Sequence, residues 1–339
     1  MGKLKVLVLG GTRFLGPEVV WAALARGHAV TLLNRGKTDP RAFPSLPALR
    51  GDRDGDMSAL EGKTFDAVVD TCAYVPAQVR RVARALGGRV GHYTLVSSVS
   101  VYAAFGKSPG AITEDSPTAR VPDEAAEEVT GGTYGALKAL CEREAEAAWP
   151  GRTAAVRPGL IAGPGDPTDR FAYWPVRVGR GGEVLAPGDG EAEVQVIDVR
   201  DLAAWIATLA EAGDAGVFNA VGFPRPLSFR EMLDAAREAA GSDASFSWVS
   251  APFLAEHGVE PWHPLPAWLP PGVQAHVANE RAVARGLKFR PVAQTIADTL
   301  SWVRATGRQP AWGTGAVPGL SPERESTLLK EWSERGRPR

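Results

Sequence analysis

From its first residues the chain sets short apolar and β-branched runs against longer stretches in which apolar positions recur every three or four residues. VLVL (6–9), AVTLL (29–33), DAVVD (66–70), YTLVS (93–97) and TAAVR (153–157) read as strands, while helical patterns cover Glu18–Arg26, Ala77–Leu86 and Tyr134–Trp149. A strand apolar at consecutive positions must be covered on both faces, the condition of a parallel sheet layered between helices. The alternation predicts an α/β fold with a doubly wound parallel sheet.

Near residue 158 the texture turns to Pro, Gly and aromatics (RPGLIAGPGDPTDRFAYWPVRVGRGG), and regularity returns with VQVID (194–198), a helix over Val199–Ala210 and GVFNAVG (216–222). These late segments read as additions to the same sheet, so the domains interleave. Residues 1–165 and 191–222 are expected to form one domain, 166–190 and 223–310 a smaller C-terminal domain, and 311–339 a polar, peripheral tail. Helices are expected over Phe229–Ala240 and Val292–Thr306, and the acidic run Asp123–Glu128 as a solvated segment.

Composition narrows the partners. With 38 basic against 39 acidic residues, the net charge of -1 leaves no electrostatic footprint for nucleic acid or a membrane surface, so a small-molecule substrate is expected. Cys72 and Cys141 lie far apart and the five histidines are scattered, which argues against a disulfide framework and a metal site. No signal-peptide pattern or membrane-length apolar run is present, and a cytoplasmic location is expected. A homo-oligomer is compatible with this reading.

The turn after the first strand carries the first chemistry. In GGTRFLG, Gly10 and Gly16 fill two positions of a dinucleotide fingerprint: the first lets the backbone approach a pyrophosphate, and the second lets the helix lie close to the strand. Its middle glycine position is occupied by Arg13. In the second strand the position that usually holds a ribose-binding acid is Asn34, followed by Arg35 and Lys37. An acid there would repel a 2′-phosphate, whereas Arg13 and Arg35 can clamp one, so this Rossmann-type turn reads as built for NADP, with NAD the alternative. Thr12, Phe14 and Leu15 complete the expected loop contacts. Further cofactor contacts are expected from Asp52, as acceptor for the adenine amine, from the small strand-end residues Thr71, Cys72 and Ala73, and from Pro158.

TYGALK adds the second. Tyr134 and Lys138 stand four apart on one helical face, so an ammonium would lie beside a phenol and favour its ionised form, bringing it within range of acid/base work near neutrality. Ser98, just beyond the end of a strand in LVSSVSVY, can hold a substrate oxygen.

In this order, GGTRFLG, SSVSVY, YGALK, VRPGLIAGPGD and VQVIDVRDLA resemble the extended short-chain dehydrogenase/reductase family, the nucleotide-sugar epimerase and dehydratase group, over roughly residues 4–306. The resemblance implies that Ser98 and Tyr134 are catalytic and that Lys138 binds the nicotinamide ribose and tunes Tyr134. Where the dehydratases carry an acidic pair, Val99 and Ser100 stand instead, which disfavours elimination. GGTRFLG is also similar to the atypical branch containing chloroplast stem-loop-binding proteins, in which the fold serves RNA binding without the Tyr/Lys pair. The expectation is an NADP-dependent oxidoreductase or epimerase acting on a small polar carbonyl or alcohol, with sugar-like molecules among the candidates. The alternative is a non-catalytic nucleotide-sensing or RNA-binding module.

On the substrate side, Asp166, Arg170, Tyr173, Trp174 and Arg177 are candidate pocket residues. Trp262 and Trp268 wall a cavity or fill a core, and His263 reads as a loop residue.

Overall fold

The computed structural model describes residues 2–39, 41–107, 110–121, 127–223, 225–270, 272–273, 275–308, 312 and 319–335. The first part runs β1 (Lys5–Leu9), α1 (Leu15–Ala25), β2 (Ala29–Asn34), β3 (Ala48–Arg50), β4 (Phe65–Asp70), α2 (Pro76–Leu86), β5 (Val90–Val96), β6 (Gly110–Ile112), α3 (Tyr134–Ala148) and β7 (Thr153–Pro158). It continues through β8 (Leu160–Ala162), α4 (Tyr173–Gly179), β9 (Glu183–Pro187), β10 (Glu193–Val194), β11 (Val196–Asp198), α5 (Val199–Ala212) and β12 (Gly216–Ala220). Then come β13 (Leu227–Ser228), α6 (Phe229–Ala240), β14 (Ser245–Val249), α7 (Ala251–Glu256), α8 (Glu280–Ala284), α9 (Val292–Thr306) and α10 (Pro322–Arg335).

Seven strands form one sheet in the spatial order β12, β7, β5, β4, β1, β2, β3, with every neighbouring pair parallel. Strand β1 shows why the apolar runs are continuous. Val6 and Val8 face a core shared with Val19 and Val20 of α1 and Leu202 and Ile206 of α5, while Leu7 and Leu9 face the opposite core with Val79 and Val82 of α2 and Cys141 of α3. The strand order reverses between β1 and β4, which opens a crevice at their C-terminal ends where such sheets bind ligands.

A third core lies beyond the sheet and draws on residues from 160 to 329, including Trp174, Phe229, Phe253, Trp268 and Leu328. Its helix α6 matches the expected span because Ser228 and Glu231 form a reciprocal capping box and Gly241 closes the other end at φ 62.

Two expectations change. The segment VQVID does not enter the main sheet: β12 already occupies the edge of β7, so Val196–Asp198 pair with β8, the extension of the chain past Pro158. The tail is not merely peripheral, because α10 buries Leu328 and Leu329 and sends the Glu325 carboxylate to Arg177 Nε at 2.6 Å. Strand β3 adds a short edge to the sheet, its three residues Ala48–Arg50 being too few to show as an apolar run. Of the acidic run, residues 123–126 lie outside the described residues, and Glu127 and Glu128 are exposed.

Candidate active site and cofactor cleft

Two adjoining clefts open at the C-terminal edge of the sheet and share Gly10, Arg13, Cys72 and Tyr74. Glycine lets the backbone pack closely at this edge. A Cβ at Gly10, which holds φ 87, would stand 2.6 Å from Thr71 Oγ1 and 2.7 Å from Cys72 Sγ, and one at Gly16 would stand 2.2 Å from the Gly10 carbonyl. The residues present therefore fit a dinucleotide whose phosphates approach the backbone at the start of α1. Thr12, Asn34, Arg35 and Lys37 line this first cleft with the shared Arg13 and Cys72. Phe14, Leu15, Thr71, Lys138 and Pro158 line the second. Ala73, fully buried, lines neither and instead offers its carbonyl to Lys138.

The Asn34 carbonyl is committed to the turn that presents the cations. Its Oδ1 accepts from the Gly36 N–H at 2.8 Å and from Arg50 Nη1 at 2.7 Å, so Arg50, unforeseen from the sequence, brings a further guanidinium to the end of β2. An acid at 34 would accept the same bonds while cancelling that charge. Asp52 does not line the cleft. Its carboxylate accepts from the Asp54 N–H within the turn, and the neighbouring Arg53 enters the cleft wall in its place. There Arg53 makes a two-pronged pair with Asp70 at 2.8 and 2.5 Å and reaches Cys72 Sγ at 3.0 Å.

Asp70, wholly buried at the end of β4, also accepts from the Tyr93 hydroxyl at 2.7 Å and the Cys72 N–H at 3.1 Å. Burial alone would raise its pKa, but the Arg53 charge and these hydrogen bonds outweigh burial and hold the carboxyl below its ordinary range.

The second cleft brings Ser98, Tyr134 and Lys138 into one wall. Ser98 Oγ accepts from the Ser100 N–H at 3.1 Å, which fixes its rotamer, and lines the same cleft as the Tyr134 phenol. Gly135 makes that approach feasible: a Cβ there would stand 1.9 Å from the Ser100 carbonyl, so only glycine lets the first turn of α3 rest on the segment that follows Ser98. The glycine inside YGALK was the available signal.

The expected effect of Lys138 on Tyr134 is corrected. Lys138 Nζ is buried and donates to the carbonyls of Ala73 and Val96, both at 2.6 Å, which turns it toward the ends of β4 and β5. Burial raises the phenol pKa of Tyr134, opposed by the neighbouring Ser98 hydroxyl and by the charge of Arg170, so the phenol keeps its proton at neutrality.

The substrate-side candidates divide. Asp166, Arg170 and Trp262 line the cleft, whereas Tyr173, Trp174 and Trp268 are core residues exposed by 2% or less. Arg177 is committed to Glu325 and to the carbonyls of Gly181 and Glu183. Among the described residues no group of three or more metal-ligating side chains occurs, and no helix is long and apolar enough to cross a membrane.

Comparison with known proteins agrees with this architecture. The model of the NAD dependent epimerase/dehydratase family matches residues 66–221. The chain is 27% identical over 260 residues to 2′-dehydrokanamycin reductase of Streptomyces kanamyceticus, covering 74% of this chain and 70% of that protein. It is 28% identical over 268 residues to 2-alkyl-3-oxoalkanoate reductase of Stenotrophomonas maltophilia (strain K279a), covering 73% and 80%. The fold matches that of UDP-glucuronic acid 4-epimerase from Bacillus cereus in complex with NAD, with a TM-score of 0.66 at 15% identity over 91% of this chain and all of that one. With the glycine turn, the parallel sheet and the Ser-Tyr-Lys wall in place, the match over residues 66–221 and the reductase relatives mark the chain as an NAD(P)-dependent enzyme of the short-chain dehydrogenase/reductase type.

Proposed function

We propose that the protein is an NADP(H)-dependent oxidoreductase that reduces a carbonyl, or oxidises the matching alcohol, at Ser98, Tyr134 and Lys138. The observation that carries this reading is the convergence of Ser98, Tyr134 and Lys138 in the wall of a cleft that shares Gly10, Arg13, Cys72 and Tyr74 with the cofactor cleft. The bound nicotinamide supplies or accepts the hydride. Ser98 holds the substrate oxygen, and Tyr134, kept protonated by burial, gives that oxygen its proton in reduction and takes it back in oxidation. Lys138 ties the ends of β4 and β5 together and has a third N–H left for a ribose hydroxyl. Reductase names on two relatives spanning about three quarters of this chain support the reductive direction, and the same three residues would serve an epimerase by acting twice.

Preference for NADP is assigned to Arg13, Arg35 and Lys37, with Arg50 beside them. No carboxylate partner holds Arg13, Arg35 or Lys37 among the described residues, so their charges are available to a 2′-phosphate. Titration should show tighter binding of NADPH than of NADH. Arg35→Ala should weaken NADPH roughly ten- to hundred-fold while sparing NADH, the loss of one or two charged hydrogen bonds. Equal affinities in the unaltered protein would refute the assignment.

The proton inventory gives a second test. Because the Tyr134 pKa is raised above the ordinary phenol value of ~10, carbonyl reduction should stay level through neutral pH and fall only above that value. A reductive rate that halves near neutrality would contradict a neutral Tyr134 as the donor.

A further inference from the structure

A dinucleotide that reaches from Arg35 and Lys37 in the first cleft to Ser98 and Tyr134 in the second must cross the strip the two clefts share. Four residues make that strip. Gly10 and Cys72 lie against each other, since a Cβ on Gly10 would stand 2.7 Å from Cys72 Sγ. Arg13 stands in the turn after β1 and Tyr74 in the segment after β4, the two strands between which the order of the sheet reverses. Arg13 brings a charge to the crossing, and Tyr74 a ring. Of the four large apolar side chains exposed among the described residues, Trp21, Tyr74, Val129 and Val283, only Tyr74 lines either cleft, and it is 46% exposed. Bare aromatic surface in a cleft wall is what a ligand covers.

The ring is held in place before any ligand arrives. The Tyr74 N–H donates to Gln78 Oε1 at 2.8 Å, and the Gln78 amide donates in turn to Asp54 Oδ1 at 2.7 Å, so the backbone at 74 is tied to the loop after β3. The Lys138 ammonium, itself fixed on the carbonyls of Ala73 and Val96, lies 5.5 Å from the centroid of the Tyr74 ring, within the range of a cation–π contact. The Tyr134 ring lies 6.4 Å away, tilted by 43°. Lys138 and Tyr134 cover part of the ring, and what they leave bare lines the two clefts. A side chain fixed in this way loses little freedom when a ligand packs on it.

We propose that Tyr74 retains the cofactor: its ring covers the middle of a dinucleotide laid across the two clefts, shuts water away from it and slows its release. The hold comes from burying the bare ring, so it belongs to the ring and not to the hydroxyl. It is also blind to the 2′-phosphate, which lies with Arg35 and Lys37 at the far end of the first cleft. This rests on the reading of the two clefts as the NADP(H) site and adds what governs the exchange of that cofactor.

The test measures cofactor affinity of the whole protein by calorimetry and release by stopped-flow displacement of bound NADPH with excess NADP. Tyr74→Ala should weaken NADPH about ten-fold, with the loss carried by faster release, whereas Tyr74→Phe should stay within about two-fold of the parent. NADH crosses the same strip and should lose the same factor, so the preference between the two cofactors is kept; Arg35→Ala, by contrast, changes that preference. The fragment 2′,5′-ADP stops short of the crossing and should bind Tyr74→Ala as it binds the parent, which also reports that the first cleft of the variant is folded. Release unchanged in Tyr74→Ala, a loss confined to NADPH, an equal loss for 2′,5′-ADP, or a loss reproduced by Tyr74→Phe would each overturn the proposal. A failure of the cofactor reading looks different: the unaltered protein would then bind neither NADPH nor NADH, and the proposal would fall with it.

Discussion

Tyr134→Phe is expected to cut turnover by roughly 10²- to 10⁴-fold, the range over which a positioned proton donor contributes, while NADPH affinity stays nearly unchanged. The substitution removes one oxygen from a side chain already packed near Tyr74, with ring centroids 6.4 Å apart, so the phenyl ring retains its seat. Ser98 keeps its bond from the Ser100 N–H and therefore its rotamer. The deficit should appear in kcat and kcat/KM together, because the lost contact is one made to the oxygen as it takes on charge. Single-turnover oxidation of NADPH checks this, with calorimetric titration of the cofactor as the control. Undiminished turnover would remove Tyr134 from the mechanism.

Asp70→Asn should be the most destabilising of the changes considered, by about 3–5 kcal/mol, because it leaves the Arg53 guanidinium buried without its counter-charge. The amide can replace neither of the two short Arg53 contacts in full, and it competes for the Tyr93 hydroxyl. The sign of the pH dependence follows from the depressed carboxyl pKa of Asp70 in the fold. Its stabilisation is complete above the unfolded value of ~3.9 and drains away as pH falls through the lower folded value. Denaturant titrations at neutral pH and near pH 3 should therefore show the gap between variant and parent narrowing with acidity. A gap independent of pH would mean that packing around Tyr93 and Trp149, stacked at 4.2 Å, carries the effect.

The elements that could be read in the sequence are those whose determinants are local. The spans of α6 and α9 follow from Ser228, Glu231 and Gly241 and from Pro291 and Gly307, all within a turn of the helix ends. The glycine cradle was legible for the same reason, since Gly10 and Gly16 act on the residues beside them.

What could not be read was set by distant partners. The orientation of Lys138 is decided by carbonyls 65 and 42 residues away, so i,i+4 spacing alone suggested the wrong neighbour. Asp52 and Arg53 differ by one position in a turn, and only the place of Asp70 on β4 decides which of them faces the cleft. Leu328 and Glu325 became core and anchor because Arg177 lies beneath them, a fact absent from the polar texture of the tail.

Gly135 carries one more implication. Backbone touches backbone between the start of α3 and the turn after Ser98, with no side chain in between to act as a spring. The two segments must then travel as a single rigid piece, and a molecule wedging itself against the hydroxyls cannot prise them apart by sliding the helix. With the Ser98 rotamer also pinned by the Ser100 N–H, the adjustment left to the pair is rotation of the Tyr134 side chain.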